Sequence, residues 1–208
     1  MKRRVFSQWM LQSALATLLA FSTILPAFAG SDRNRGNASV DVDNFGQVND
    51  HLYRGGQPKG DSYRQLATLG VKTILDLRGD AVRSEKSDAE RAGLRYINLP
   101  LEDKRYPQAD AAEQFLNIVN DKANWPVYMH CAGGRHRTGS MVAVYRMTED
   151  HWTVDQAYEE MKQYDFYTGN GHGCYKDYVY DYYNGLQARN QPQPAARSQA
   201  VVKAEQHF

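Results

Sequence analysis

The sequence predicts an α/β fold, with a mainly parallel central sheet flanked by helices. Two observations carry this. Between about residues 45 and 187, short β-prone apolar runs alternate with stretches of helical periodicity, the order of elements that builds a parallel sheet covered by helices. The segment His130-Cys131-Ala132-Gly133-Gly134-Arg135-His136-Arg137-Thr138-Gly139 then falls where a strand gives way to a helix, the place where such sheets bind ligands.

Each element has its own signal. Residues 61–69 read as a helix, 72–78 as a buried strand, and 84–92 as a charged helix or turn. A strand over 95–99 precedes a helix over 110–121 that turns Phe115, Leu116, Ile118 and Val119 inward. The short apolar run at 126–130 is β-prone, and the helix at 138–150 is amphipathic, with Met141, Val142, Val144, Tyr145 and Met147 at helical spacing. Thr153 and Gln156 make a capping box for a helix at 154–164, whose Val154, Ala157, Tyr158, Met161 and Tyr164 form one stripe. A last helix, about 175–187, carries Tyr175, Tyr178, Val179, Tyr182, Tyr183 and Leu186. Tyrosines at that spacing are core residues whose hydroxyls reach water.

The ends have different composition. Lys2, Arg3 and Arg4, an uncharged apolar stretch from Leu11 to Leu25, and Ala27-Phe28-Ala29 read residues 1–29 as a cleaved signal peptide. Export to the periplasm or medium follows as the expectation. No cysteine follows the cleavage site to carry a lipid anchor, and the mature chain is expected to keep no stable membrane anchor. Residues 30–44 are polar and read as a flexible lead, and 188–208, rich in Gln, Pro, Ala and Ser, as a disordered tail. The roughly 180 residues after the signal suit one domain, at 45–187, expected to be monomeric. Losing the three basic residues of the signal takes the formal net charge from +1 to −2. A near-neutral chain has no global field to draw it to nucleic acid.

The chemistry is concentrated in the loop from 130 to 139. Five residues separate Cys131 from Arg137. Gly133 and Gly134 let the backbone curl around an anion, since a Cβ would obstruct either. The following helix N-terminus adds unpaired N–H groups and a positive dipole end. Arg137 offers a planar fork for two phosphate oxygens. The same positive potential lowers the pKa of Cys131, to roughly 3.5–7.5 in comparable settings. A thiolate under a bound phosphate is placed for in-line attack, and the Thr138 hydroxyl can stabilise the sulfur as it leaves.

This segment resembles the HCxxGxxRTG signature loop of the cysteine-dependent protein tyrosine phosphatase superfamily, and the chain is similar to its compact dual-specificity branch, in particular to periplasmic bacterial members. Leu52-Tyr53-Arg54-Gly55-Gly56-Gln57-Pro58 and Val71-Lys72-Thr73-Ile74-Leu75-Asp76-Leu77-Arg78 resemble the opening strand-turn and first buried strand of small members. The resemblance covers about residues 45–186 and implies a compact dual-specificity-phosphatase-like fold, with 45–187 the phosphatase domain. It implies Cys131 as nucleophile and Arg137 as phosphate clamp, with Ala132, Gly133, Gly134, Arg135 and His136 completing the binding loop. It also implies that His130 orients the loop, that an aspartate some thirty residues upstream is the general acid, and that no metal or cofactor takes part.

The acid lies in Leu99-Pro100-Leu101-Glu102-Asp103-Lys104-Arg105-Tyr106-Pro107; Asp103 is the first choice, with Glu102 and Asp110 as runners-up. Phosphotyrosine proteins are the first expected substrate, with phosphoserine and phosphothreonine beside them. Arg135, His136, Lys104 and Arg105 add positive charge beyond one phosphate's need, which makes inositol polyphosphates or phosphoinositides the second. A non-catalytic, redox-responsive phosphate-binding module is the alternative of another class. Cys174, the only other cysteine, reads as a spectator or as a reversible partner of Cys131.

Overall fold

The run Thr73–Arg78 forms a strand whose first five side chains are all buried, and a strand covered on both faces belongs at the centre of a parallel sheet. The computed structural model describes residues 40–190; the expected signal peptide, residues 30–39 and the tail from 191 lie outside the described residues. Five strands, β1 (Gly46–Asn49), β2 (Leu52–Gly55), β3 (Thr73–Arg78), β4 (Arg95–Leu101) and β5 (Val127–His130), lie in the order β1-β2-β5-β3-β4. The pairs β2–β5, β5–β3 and β3–β4 are parallel, while β1 pairs antiparallel with β2 at the edge. The fold is the α/β class expected. Strand β1, Gly-Gln-Val-Asn, has almost no β signal in its sequence and is held by its hairpin with β2.

Strand alternation sorts the side chains. Ile74 and Tyr128 face α1 (Ser62–Thr68) and α2 (Glu85–Arg91), packing with Tyr63, Leu66, Ala89 and Leu94. Leu75, Leu77, Val127 and Met129 face the other side. There α3 (Ala111–Asn120), α4 (Arg137–Thr148), α5 (Val154–Gln163) and α6 (Gly173–Asn190) supply Phe115, Val119, Met141, Val144, Met161 and Val179.

Three expectations change. Helix α4 is not amphipathic but buried almost all round, because it lies between the sheet and the α5–α6 pair. Its polar first turn, Arg137, Thr138 and Ser140, is buried with the rest because it faces the loop rather than solvent. Helix α6 runs on to Asn190, three residues into the stretch assigned to a disordered tail. The end of the lead is packed: Val40 is buried against Tyr63 and Leu66, and the Asp43 carbonyl accepts the Gly56 N–H at 2.7 Å. The capping box of α5 is present, with Gln156 N–H donating to Thr153 Oγ1 and the Thr153 N–H to Gln156 Oε1 (3.3 and 2.9 Å). Helix α6 uses Tyr175, Tyr178 and Val179 as core.

Candidate active site

Strand β5 ends at His130 and α4 begins at Arg137, so Cys131 starts a six-residue loop at the C-terminal edge of the sheet. The thiol is 3% exposed. Burial alone would raise its pKa, but the Thr138 hydroxyl and N–H, the Arg137 charge and the Gly134 N–H outweigh burial and bring it below the ordinary thiol value. Thr138 itself is fully buried.

The two glycines are not equivalent. Gly134 has φ +68°, and a Cβ there would lie 2.5 Å from the Gly55 carbonyl carbon, so the loop can pass β2 this closely only with glycine. A Cβ at Gly133 would meet nothing nearer than 3.8 Å, and its backbone is outside the left-handed region. The need for glycine therefore lies at 134 and not at both positions.

The Arg137 side chain is 5% exposed, and its fork is held by the Asp80 carboxylate (3.1 Å) and the Leu101 carbonyl (3.3 Å). The second Nη lies 3.7 Å from Asp103 Oδ1, and Asp103 is 46% exposed at the mouth. The other acid candidates lie elsewhere. The Glu102 carboxylate packs over Gly79, and Asp110, at the start of α3, accepts from Gln114 Nε2 at 2.7 Å. Tyr175 fixes the acid loop: its hydroxyl donates to the Glu102 carbonyl (3.1 Å) and accepts the Lys104 N–H (3.0 Å). This is more than the core role its stripe suggested.

Asp80 carries no motif and was missed. Hydrogen bonds from Arg78, then from Arg137, hold its carboxyl far below the usual carboxylate range. It is ionised at neutral pH and orients Arg137 rather than supplying a proton.

Beneath the loop, on the α1–α2 side, His130 is fully buried with Nε2 2.8 Å from Glu85 Oε1 and Nδ1 3.2 Å from the Cys131 carbonyl. Burial would lower its pKa, but Glu85, then Asp76 and the Cys131 carbonyl, raise it above the ordinary value. Glu85 in turn accepts from Gln57 Nε2 (2.9 Å), and Asp76 from the Tyr96 hydroxyl and the Arg78 N–H (2.8 and 2.9 Å). Sequence reading placed Glu85 on a charged helix. Nothing local shows that this helix crosses beneath β5.

At the mouth Ala132 is exposed, and the Arg135 side chain, 42% exposed, has Nε 3.9 Å from Asp165 Oδ2. His136 is buried instead, stacked on His172 at 3.7 Å and edge-on to Tyr167 at 4.5 Å. Burial, reinforced by His172, pushes its pKa down to about 4. It is neutral at physiological pH, so the extra charge expected at the mouth comes without it. Both cysteines are free thiols. Burial pushes the Cys174 thiol up, which makes it the less reactive of the two.

A family model described as the DSP-PTPase phosphatase fused to NAD+ kinase matches residues 23–177. The chain belongs to this phosphatase family. It is therefore a phosphomonoester hydrolase of the dual-specificity and tyrosine phosphatase class. A probable tyrosine-protein phosphatase of Dictyostelium discoideum, DG1060, is 30% identical over 126 residues, 58% of this chain and 75% of that protein. The inositol diphosphatase DSP3 of Arabidopsis thaliana is 27% identical over 138 residues, 64% of this chain and 68% of its own length. The crystal structure of TpbA from Pseudomonas aeruginosa, a dual specificity protein phosphatase, matches with a TM-score of 0.61 at 27% identity, over 75% of this chain and 98% of that one. A TpbA variant has also been crystallised in complex with phosphotyrosine.

Two predictions follow from the loop geometry. Gly134→Ala should destabilise the fold by about 2 kcal/mol or more, whereas Gly133→Ala should stay within about 0.5 kcal/mol; urea unfolding of both variants measures the contrast. Iodoacetamide alkylation of Cys131, followed against pH, should titrate with a midpoint below that of an ordinary thiol, and Thr138→Val should move the midpoint upward. An unmoved midpoint would remove Thr138 from the account.

Proposed function

We propose that the protein is an exported enzyme that dephosphorylates phosphotyrosine-bearing proteins, and phosphoserine and phosphothreonine beside them, through a phosphocysteine intermediate. The observation that carries this is a buried, acidified Cys131 thiol at the start of the loop, with the Arg137 charge acting on it and Asp103 3.7 Å from the Arg137 fork.

The Cys131 thiolate attacks phosphorus in line, forming the P–S bond as the P–O bond to the substrate breaks. Arg137 and the N–H groups of the loop hold the three non-bridging oxygens throughout. Asp103 gives its proton to the departing oxygen. The Asp103 carboxylate then takes a proton from water, whose oxygen attacks phosphorus and breaks the P–S bond. Phosphate leaves, and the Thr138 hydroxyl stabilises the returning thiolate. No step requires a metal ion or cofactor.

Phosphotyrosine is favoured by the likeness to TpbA. Inositol polyphosphate is the second reading, favoured by the half-exposed Arg135 at the mouth and by the likeness to DSP3. Export is supported by the basic, apolar and small-residue pattern of residues 1–29.

Cys131→Ser is expected to lower turnover by about 10³-fold or more while the fold is kept; robust activity in that variant would end the proposal. Asp103→Ala should slow a phosphotyrosine peptide by about 10²-fold or more and p-nitrophenyl phosphate, whose leaving group needs little protonation, far less. If the two substrates respond alike, Asp103 is not the acid. Against a panel of phosphopeptides and inositol phosphates, kcat/KM should be highest on phosphotyrosine, and Arg135→Ala should depress turnover of the inositol phosphates selectively. Higher kcat/KM on an inositol phosphate would reverse the order of substrates.

A further inference from the structure

Four successive carbonyls of the loop are each gripped from outside it. His130 Nδ1 lies 3.2 Å from the Cys131 oxygen, and the Gln57 N–H donates to the Ala132 oxygen at 3.1 Å. Asn44 Nδ2 donates to the Gly133 oxygen at 2.9 Å, and Arg54 Nη2 to the Gly134 oxygen at 2.7 Å. A planar trans peptide points its C=O and N–H in opposite directions. Holding these oxygens outward therefore turns the N–H groups of Ala132, Gly133, Gly134 and Arg135 inward. The Gly134 N–H does act on the Cys131 sulfur, as that geometry requires.

Two of the four donors are unusual in themselves. Arg54 is 1% exposed, with its guanidinium 3.8 Å over the Tyr164 ring. Among the described residues no carboxylate lies within ion-pair distance of it, and its Nε and Nη1 have no protein acceptor. Glu160, whose field reaches it, is itself paired with Arg146 at 2.8 Å. A buried cation without a counter-charge is costly. Against burial, the Glu160 carboxylate, then the Tyr164 hydroxyl and the Cys131 sulfur, favour the charge on Arg54, and through the Gly134 carbonyl Arg54 is tied directly to the loop that carries Cys131. Asn44 has φ +52°, a left-handed conformation that asparagine tolerates. From the end of the lead it reaches a carbonyl 89 positions away.

We propose that Asn44 and Arg54 are positioning residues of the phosphate-binding loop: together they fix the Gly133 and Gly134 peptides with their N–H faces inward, and Arg54 adds a buried positive charge behind the anion. The inference rests on the reading of this loop as the phosphate site. It makes the segment before the first strand part of the active site rather than a leader to it.

The test uses orthovanadate as the phosphate probe, read as inhibition of p-nitrophenyl phosphate hydrolysis by the full mature chain, together with the pH midpoint of Cys131 alkylation. Asn44→Gly keeps the left-handed backbone and removes the donor. It should weaken vanadate about fivefold and raise the alkylation midpoint, with its melting temperature nearly unchanged. Arg54→Met should weaken vanadate about tenfold or more, and Arg54→Lys, which keeps the charge but not the fork, should fall between it and the parent. Should Arg54→Met fail to fold, Asn44→Gly and Arg54→Lys still decide. Folded variants that bind vanadate as the parent does, with the alkylation midpoint unmoved, would overturn the inference. A parent protein that neither hydrolyses the substrate nor binds vanadate would instead overturn the phosphatase mechanism itself.

Discussion

A thiolate kept almost wholly out of water must be surrounded by donors, and the architecture around Cys131 follows from that constraint. Desolvation opposes the charge, so each element that touches the loop contributes something that favours it. Helix α4 contributes Thr138 and Arg137 from its first turn. Strand β2 contributes Arg54 and a glycine against which Gly134 can lie. Polar groups that would be liabilities in an ordinary core are here concentrated under one sulfur atom.

Sheet order makes this convergence possible. Strand β5 lies between β2 and β3, and Asp76 stands beside His130 in the register of the β3–β5 pair. The β3 end continues into Asp80, which takes Arg137, and the β4 end continues into the acid loop, which Tyr175 of α6 secures. Helix α2 passes beneath and sends Glu85 to His130. The nucleophile with its clamp, the carboxylate that orients the clamp, and Asp103 thus come from three neighbouring strand ends, those of β5, β3 and β4.

Much of this was legible in the sequence because the key segment is contiguous: a strand, ten loop-and-helix residues and a following apolar helix are local signals. The alternation of elements was likewise enough for the fold class. What could not be read is whatever depends on crossing the chain. Glu85 looks like any charge on a short helix, and Asp80 like a turn residue after Arg78. Asn44, in the turn before β1, and Arg54, on β2, have no chemical signature apart from the chain path that brings them to the loop. Helix α4 misled for a related reason, since its polar first turn mimics a solvent face when its real environment is the loop. The two glycines looked alike because sequence shows neither φ nor the passing backbone of β2.

The insertion of β5 between β2 and β3 also governs when the active thiol comes into being. Both pairings join residues far apart in the chain, some 75 positions for Leu52 with Val127, and such contacts form only when their loop-closure entropy is met. Until that strand is seated, the carbonyl grips, the helix N-terminus and the buried cation are not assembled around Cys131. The unfolded chain therefore carries an ordinary, mostly protonated cysteine. Nucleophilicity is therefore acquired with the fold itself, and an unfolded molecule carries a less nucleophilic sulfur.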